Sequence, residues 1–170
     1  MSHVFVPAIA LLIVLGVLAV VAKLRTALAN TTNRDLYYLR PTIVTAAERS
    51  FLGVLQSLNY ENVSVLTKIR IADVIGVRKG LDRGERQSAL NRIVAKHVDF
   101  LLVRTNDFAP ILGIELDDQS HDAPARMARD ELVDYVFKSV GLPLLHVRAQ
   151  ASYDPKAVYS SIDEALSQKG

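Results

Sequence analysis

Residues 96–121 read KHVDFLLVRTNDFAPILGIELDDQSH, and this stretch decides the fold. Two apolar runs, at 98–103 and 111–116, flank a short polar break. They predict an antiparallel hairpin that turns at Asn106–Asp107. Each strand carries acid where a buried strand normally carries none: Asp99 in the first, Glu115 and Asp117 in the second, with Asp118 and His121 just beyond. Counting outward from the turn puts Asp99 opposite position 114 or 115, hence near Glu115. Glu115 and Asp117 are two apart on one strand and so share a face. Carboxylates buried without a partner are costly, and the pattern therefore points to a divalent-metal site. Asp118 and Ser120 read as turn or helix-capping residues. His97 alternates away from Asp99 and reads as a packing or surface residue. His121 reads either as a structural histidine or as a general base, proton donor or phosphate contact.

Upstream of the hairpin, TAAERSFLGVLQSL at 45–58 places Ala47, Phe51, Leu55 and Leu58 at helical spacing. Thr45 followed three residues later by Glu48 is a capping-box pattern, which gives Glu48 a structural role. NVSVLTKIRI at 62–71 alternates around β-branched residues and predicts a strand with Lys68 and Arg70 on one face. The glycine-punctuated residues 71–85 read as a loop with one turn of helix, and RQSALNRIVA at 86–95 as a helix. Its Arg86, Asn91 and Arg92, with Lys96, read either as phosphate-backbone contacts or as solvated surface. Lys68, Arg70, Arg92 and Lys96 are the candidate nucleic-acid contacts.

Downstream, residues 124–140 predict a helix with proline in its first turn and Met127, Leu132, Val136 and Val140 toward the sheet. Gly141 ends it, residues 142–147 form a short strand, and residues 155–167 a closing helix. A hairpin beside a helical crossover predicts an α/β fold, a mixed sheet flanked by helices.

Residues 4–22 run for 19 positions without a charge. A helix of that length reaches about 28 Å, enough for the hydrocarbon core of a bilayer. Lys23 and Arg25 follow it and predict a cytoplasmic flank. No basic residue precedes residues 4–22, and the two charges separate them from the cleavage-like Ala27-Leu28-Ala29, which argues against a signal peptide. The expected organisation is a transmembrane anchor over 1–25, a linker over 26–42 and an α/β domain over 43–170. The anchor would be single-pass, with the N-terminus outside and the domain in the cytoplasm.

The chain has no cysteine, which excludes disulfides, thiolate metal sites and a cysteine nucleophile. Both charges of the +2 net balance come from Lys23 and Arg25, so the part beyond residue 30 is neutral. A strongly basic nucleic-acid binder is not what composition shows. The charge is uneven, however: residues 68–104 hold nine Lys/Arg against four Asp/Glu, and 105–122 hold five acids and no base. A basic arm beside an acidic pocket suits a phosphodiesterase; solvated surface charge is the default reading of the same pattern.

The segments TAAERSFL, KHVDFLLV, IELDDQSH, RMARDELV and GLPLLHV together resemble a bacterial family, domain of unknown function 2726. That family is similar to the very-short-patch-repair endonuclease-like branch of the restriction-endonuclease-like fold. The resemblance spans roughly residues 42–147. It implies a restriction-endonuclease-like sheet in which Asp99 and Glu115 bind Mg²⁺ or Mn²⁺ and DNA is cut, with Asp117 as an auxiliary ligand and His121 in proton transfer. It also implies that Glu48 lies next to the metal, a role one side chain can combine with capping. The superfamily pattern ends in a lysine two residues after the second acid, and here that residue is Asp117. His121, Lys96 and Lys68 are the candidates to replace it. The rival expectations are a non-catalytic module that binds DNA or a protein at the membrane, and a structural protein whose acids pair with Arg126 or Arg129.

Overall fold

The computed structural model describes the backbone of residues 5–32, 37–117 and 124–167, and the side chains of 12–26, 37–117 and 131–167. Two compact units divide the chain at Pro41 and Thr42. The first contains one helix, α1 (Phe5–Thr32). Its side chains over 12–26 are exposed, from Leu12 at 69% through Leu24 at 57%. Among the described residues no helix is long and apolar enough to cross a membrane. The transmembrane part of the expected fold therefore has no support in the structure.

The second unit is the expected mixed α/β domain. Its elements run α2 (Ala46–Ser57), β1 (Val63–Arg70), α3 (Ile71–Val74), α4 (Arg83–Ile93), β2 (His97–Arg104), β3 (Pro110–Asp117), α5 (Pro124–Ser139), β4 (Leu144–Arg148) and α6 (Pro155–Ser167). The strands lie in the order β1-β2-β3-β4, antiparallel at the first two junctions and parallel between β3 and β4. The parallel junction is the one crossed by α5, as a helical crossover requires. Helix α4 begins three residues before the expected 86. Asp82 caps Glu85 N–H and Glu85 returns the bond to Asp82 N–H, a pattern sitting inside what reads as loop.

Two apolar layers sandwich the sheet. Phe51 and Leu55 of α2 and Val158 and Ile162 of α6 pack with Phe100, Leu102, Leu112 and Ile114. On the other side Ile71 of α3, Ile93 of α4 and Val133 and Phe137 of α5 pack with Val98, Leu101 and Val103. Gly113 faces this second layer, and a Cβ there would come within 2.5 Å of the Phe137 ring and 3.0 Å of Leu144. The bare glycine is what lets α5 approach the sheet.

On β1 and β2 strict alternation fails at one place, and it fails on both strands together. Val98 lies in one layer and both Asp99's neighbour Phe100 and Leu102 in the other, so the side-chain period slips between 98 and 100. On β1 the same slip separates Leu66 from Ile69, both packed on the α5 side. Between them Lys68 adopts φ +53, a left-handed conformation that costs a non-glycine residue about 1–2 kcal/mol. The ladder pairs Thr67 with Phe100 and Ile69 with Val98, so Lys68 and Asp99 are the two residues at the break.

Candidate functional site

The break gathers charge from three elements. The Lys68 ammonium donates to Glu48 Oε1 at 2.7 Å and to Asp99 Oδ1 at 2.7 Å. Among the described residues Glu48 is the one charged residue that is buried, 7% exposed. Its other oxygen accepts the Thr45 N–H at 2.9 Å while Thr45 Oγ1 accepts the Glu48 N–H. The capping box expected from sequence is thus present, and the same carboxylate also faces the lysine. Asp99 Oδ2 accepts the Leu116 N–H at 3.0 Å, which brings the carboxylate to the residue next to Glu115. Burial alone would lower the pKa of Lys68. The hydrogen bonds to Asp99 and Glu48 more than offset it, and the net shift is upward, so this amine remains an ammonium ion.

The left-handed turn at Lys68 explains why sequence periodicity misplaces it. Regular alternation from Leu66 would turn Lys68 to the α5 side, whereas the slip sends it to Glu48 on the α2 side. Arg70 instead pairs with Asp73 at the surface. The hairpin register follows the expectation: Phe100 pairs with Ile114, and one step further sets Asp99 across from Glu115. A bulge between Leu102 and Val103 accommodates the turn.

Asp117 occupies a different cluster. His146 of β4 contacts both its oxygens through Nδ1, at 3.2 and 3.1 Å, and reaches Asp134 Oδ1 of α5 through Nε2 at 2.8 Å. Gly113 faces Phe137 of α5, and by alternation Glu115 and Asp117 take the same strand face. The side chain of Asp99 has turned toward α2. Among the described residues no three His, Asp or Glu side chains converge as a metal-holding group, so the trio Asp99, Glu115 and Asp117 is not assembled into one cage. His121 and Asp118 lie outside the described residues, as do the side chains of Arg126 and Arg129.

His146 was legible only as a residue of a buried strand. Its signal is register: it pairs with Glu115 in the parallel ladder, one strand over from the acids. A cavity of about 440 Å³ opens beside the first cluster, lined by Lys68, Asp99, Asn91, Arg92, Lys96 and His97. Three of the four expected nucleic-acid contacts therefore meet at one cavity, and Arg70 does not.

Fold and site together define a mixed α/β domain with an acid–lysine–acid cluster at the break between two central strands. A family model matches residues 40–166, most of the chain, and the chain belongs to that family, described as a protein of unknown function, DUF2726. No curated protein and no solved structure matches it.

Proposed function

We propose that this domain is a metal-dependent nuclease that hydrolyses DNA phosphodiester bonds from the inner face of a bacterial membrane. The observation that carries the proposal is Lys68, held between Glu48 and Asp99 at 2.7 Å from each. A fixed ammonium beside two carboxylates is the donor set the resemblance leaves incomplete at Asp117, and here a neighbouring strand supplies it. Mg²⁺ needs only one or two carboxylates and keeps waters in its shell. The hard oxygens of Glu48 and Asp99 fit that requirement. When bound, the ion would activate water and offset charge on the phosphate. Lys68 orients the two carboxylates and offers a cation to a phosphate oxygen. Arg92 and Lys96 hold the flanking backbone in the adjoining cavity, and His121 stands as the proposed proton carrier.

The membrane part of the proposal rests on residues 4–22 and on the exposed apolar side chains of α1, which a soluble surface does not carry in such number. Carbonate extraction of membranes and protease protection of the C-terminal domain test it: release by carbonate would overturn it.

The central test incubates the full chain in neutral detergent with supercoiled, linear and single-stranded DNA, with Mg²⁺, Mn²⁺ or chelator. Cleavage that needs metal and disappears in Asp99→Asn and Lys68→Met is expected. Undiminished cleavage in Asp99→Asn, or in chelator, would overturn it. A second reading is a non-catalytic binding module, favoured by the fact that both carboxylates already have an internal cation and a backbone N–H. On that reading Mn²⁺ titration gives no heat that depends on Asp99.

A further inference from the structure

Between residues 78 and 96 the chain carries six Lys/Arg and two Asp/Glu. Arg78, Lys79, Arg83, Arg86 and Arg92 are exposed and Lys96 is half-buried. Elsewhere in the domain Lys68, Arg70 and Arg104 are paired with acids, and the described cations outside these ion pairs, Arg49, Lys138, Arg148 and Lys156, are scattered along the sequence. Among the described residues none of these six is in an ion pair. The two acids within the segment, Asp82 and Glu85, are turned onto the helix backbone as each other's caps. At its C-terminal end the segment delivers Arg92 and Lys96 to the cavity that contains Lys68 and Asp99.

We infer that the loop before α4 and α4 itself form a track for the phosphate backbone of duplex DNA, leading into the Lys68–Asp99 cavity. The inference rests on the nuclease reading for the direction of the track but not for its existence. The eleven residues of α4 span about 16 Å at the helical rise, over which one strand of a duplex presents about five phosphates. Cations therefore stand at both ends of that span: Arg78, Lys79, Arg83 and Arg86 at the entry, Arg92 and Lys96 at the cavity. An acidic membrane surface fits less well. A helix that lies in a bilayer interface presents an apolar stripe to it, whereas Ile93 of α4 is buried in the core, Leu90 is half-buried, and the exposed Leu81 and Val94 flank the helix at opposite ends.

The test measures binding of the full chain in neutral detergent to a labelled duplex of about 24 base pairs across a salt series, without divalent metal. Binding should weaken with salt, and Arg83→Gln/Arg86→Gln should lower the log–log slope by about two, roughly one for each phosphate no longer neutralised. The pair should also weaken binding roughly tenfold at moderate salt. Arg78→Gln/Lys79→Gln should act in the same direction. All four positions are exposed, so an unchanged unfolding midpoint checks that the variants fold. The track is overturned if the slope stays the same in both double variants, if the full chain binds no duplex at low salt, or if the arginines are needed for vesicles rich in anionic lipid and not for duplex. Arginine-dependent binding without cleavage leaves the track standing and removes the nuclease. Cleavage with slopes unaffected does the reverse.

Discussion

Lys68→Met removes the one cation between Glu48 and Asp99 while keeping much of the side chain's length. At 2.7 Å and an effective dielectric constant of about 20, each pair is worth about 6 kcal/mol of gross attraction. Most of that is offset by desolvation, and a hydrogen bond to a charged group nets about 1.5–3 kcal/mol. Lys68 is one-third exposed, and each carboxylate keeps a backbone N–H from Thr45 or Leu116, so the two pairs together should cost about 2–3 kcal/mol when lost. Urea unfolding of the full chain, followed by tyrosine fluorescence, measures this. Lys68→Gly provides an internal check. It loses the same ammonium but sheds the left-handed strain of φ +53, worth about 1–2 kcal/mol. That gain offsets the greater freedom of glycine in the unfolded chain, so Lys68→Gly should unfold no more easily than Lys68→Met. A loss below about 0.5 kcal/mol in the methionine variant, the range of an ordinary surface substitution, would refute the reasoning. So would a glycine variant much weaker than the methionine one.

The two duties of Glu48 can be separated. Glutamine still completes a capping box, so Glu48→Gln should lose only the Lys68 pair, and Glu48→Ala a further ~1 kcal/mol of helix capping, seen as a second step in urea midpoint. Gly113→Ala forces a methyl against the Phe137 ring at 2.5 Å and should cost about 1–3 kcal/mol by overpacking; a neutral result would mean that α5 is not seated there. At His146 burial opposes protonation, but the hydrogen bonds to Asp134 and Asp117 outweigh it and its pKa is raised above the ordinary 6.5. Its contribution to stability is accordingly full below about pH 6.5 and is lost as pH rises through the higher folded value. The gap in melting temperature between the parent and His146→Gln should then close between neutral and alkaline pH, and a gap that widens there has the wrong sign. Phe108 is 62% exposed at φ +55, so Phe108→Gly should be neutral or stabilise by up to ~1 kcal/mol.

The helices and the hairpin were legible because their signals are local. Thr45 and Glu48 mark the start of α2, Gly141 at φ +70 ends α5, and the apolar runs of β2 and β3 find each other across a short turn. The candidate site was legible in its acids and not in its arrangement. Asp99 could be placed opposite Glu115 by counting, since register is a matter of integers. Where its carboxylate points depends on a one-residue slip shared by β1 and β2, and nothing in VSVLTKIR marks Lys68 as the residue that turns left-handed. The Asp117–His146–Asp134 cluster was missed because it joins β3, β4 and α5 through a parallel pairing, and residues 29 apart give no periodic signal. Asp82 and Glu85, by contrast, are a capping pair at the usual spacing, overlooked because the glycines around them read as loop.

Glu48 also has a consequence for how the domain is joined to the rest of the chain. The boundary between the two units falls at Pro41 and Thr42, just ahead of the Thr45–Glu48 box that closes the first turn of α2. The chain thus enters the domain through the residue that shares Lys68 with Asp99. A pull or twist applied to the preceding segment meets its first anchoring hydrogen bonds at the Glu48 carboxylate. Tension that frays this turn loosens a member of the charged cluster before it reaches any strand, so the entry of the chain and the charged cluster share a single fastening.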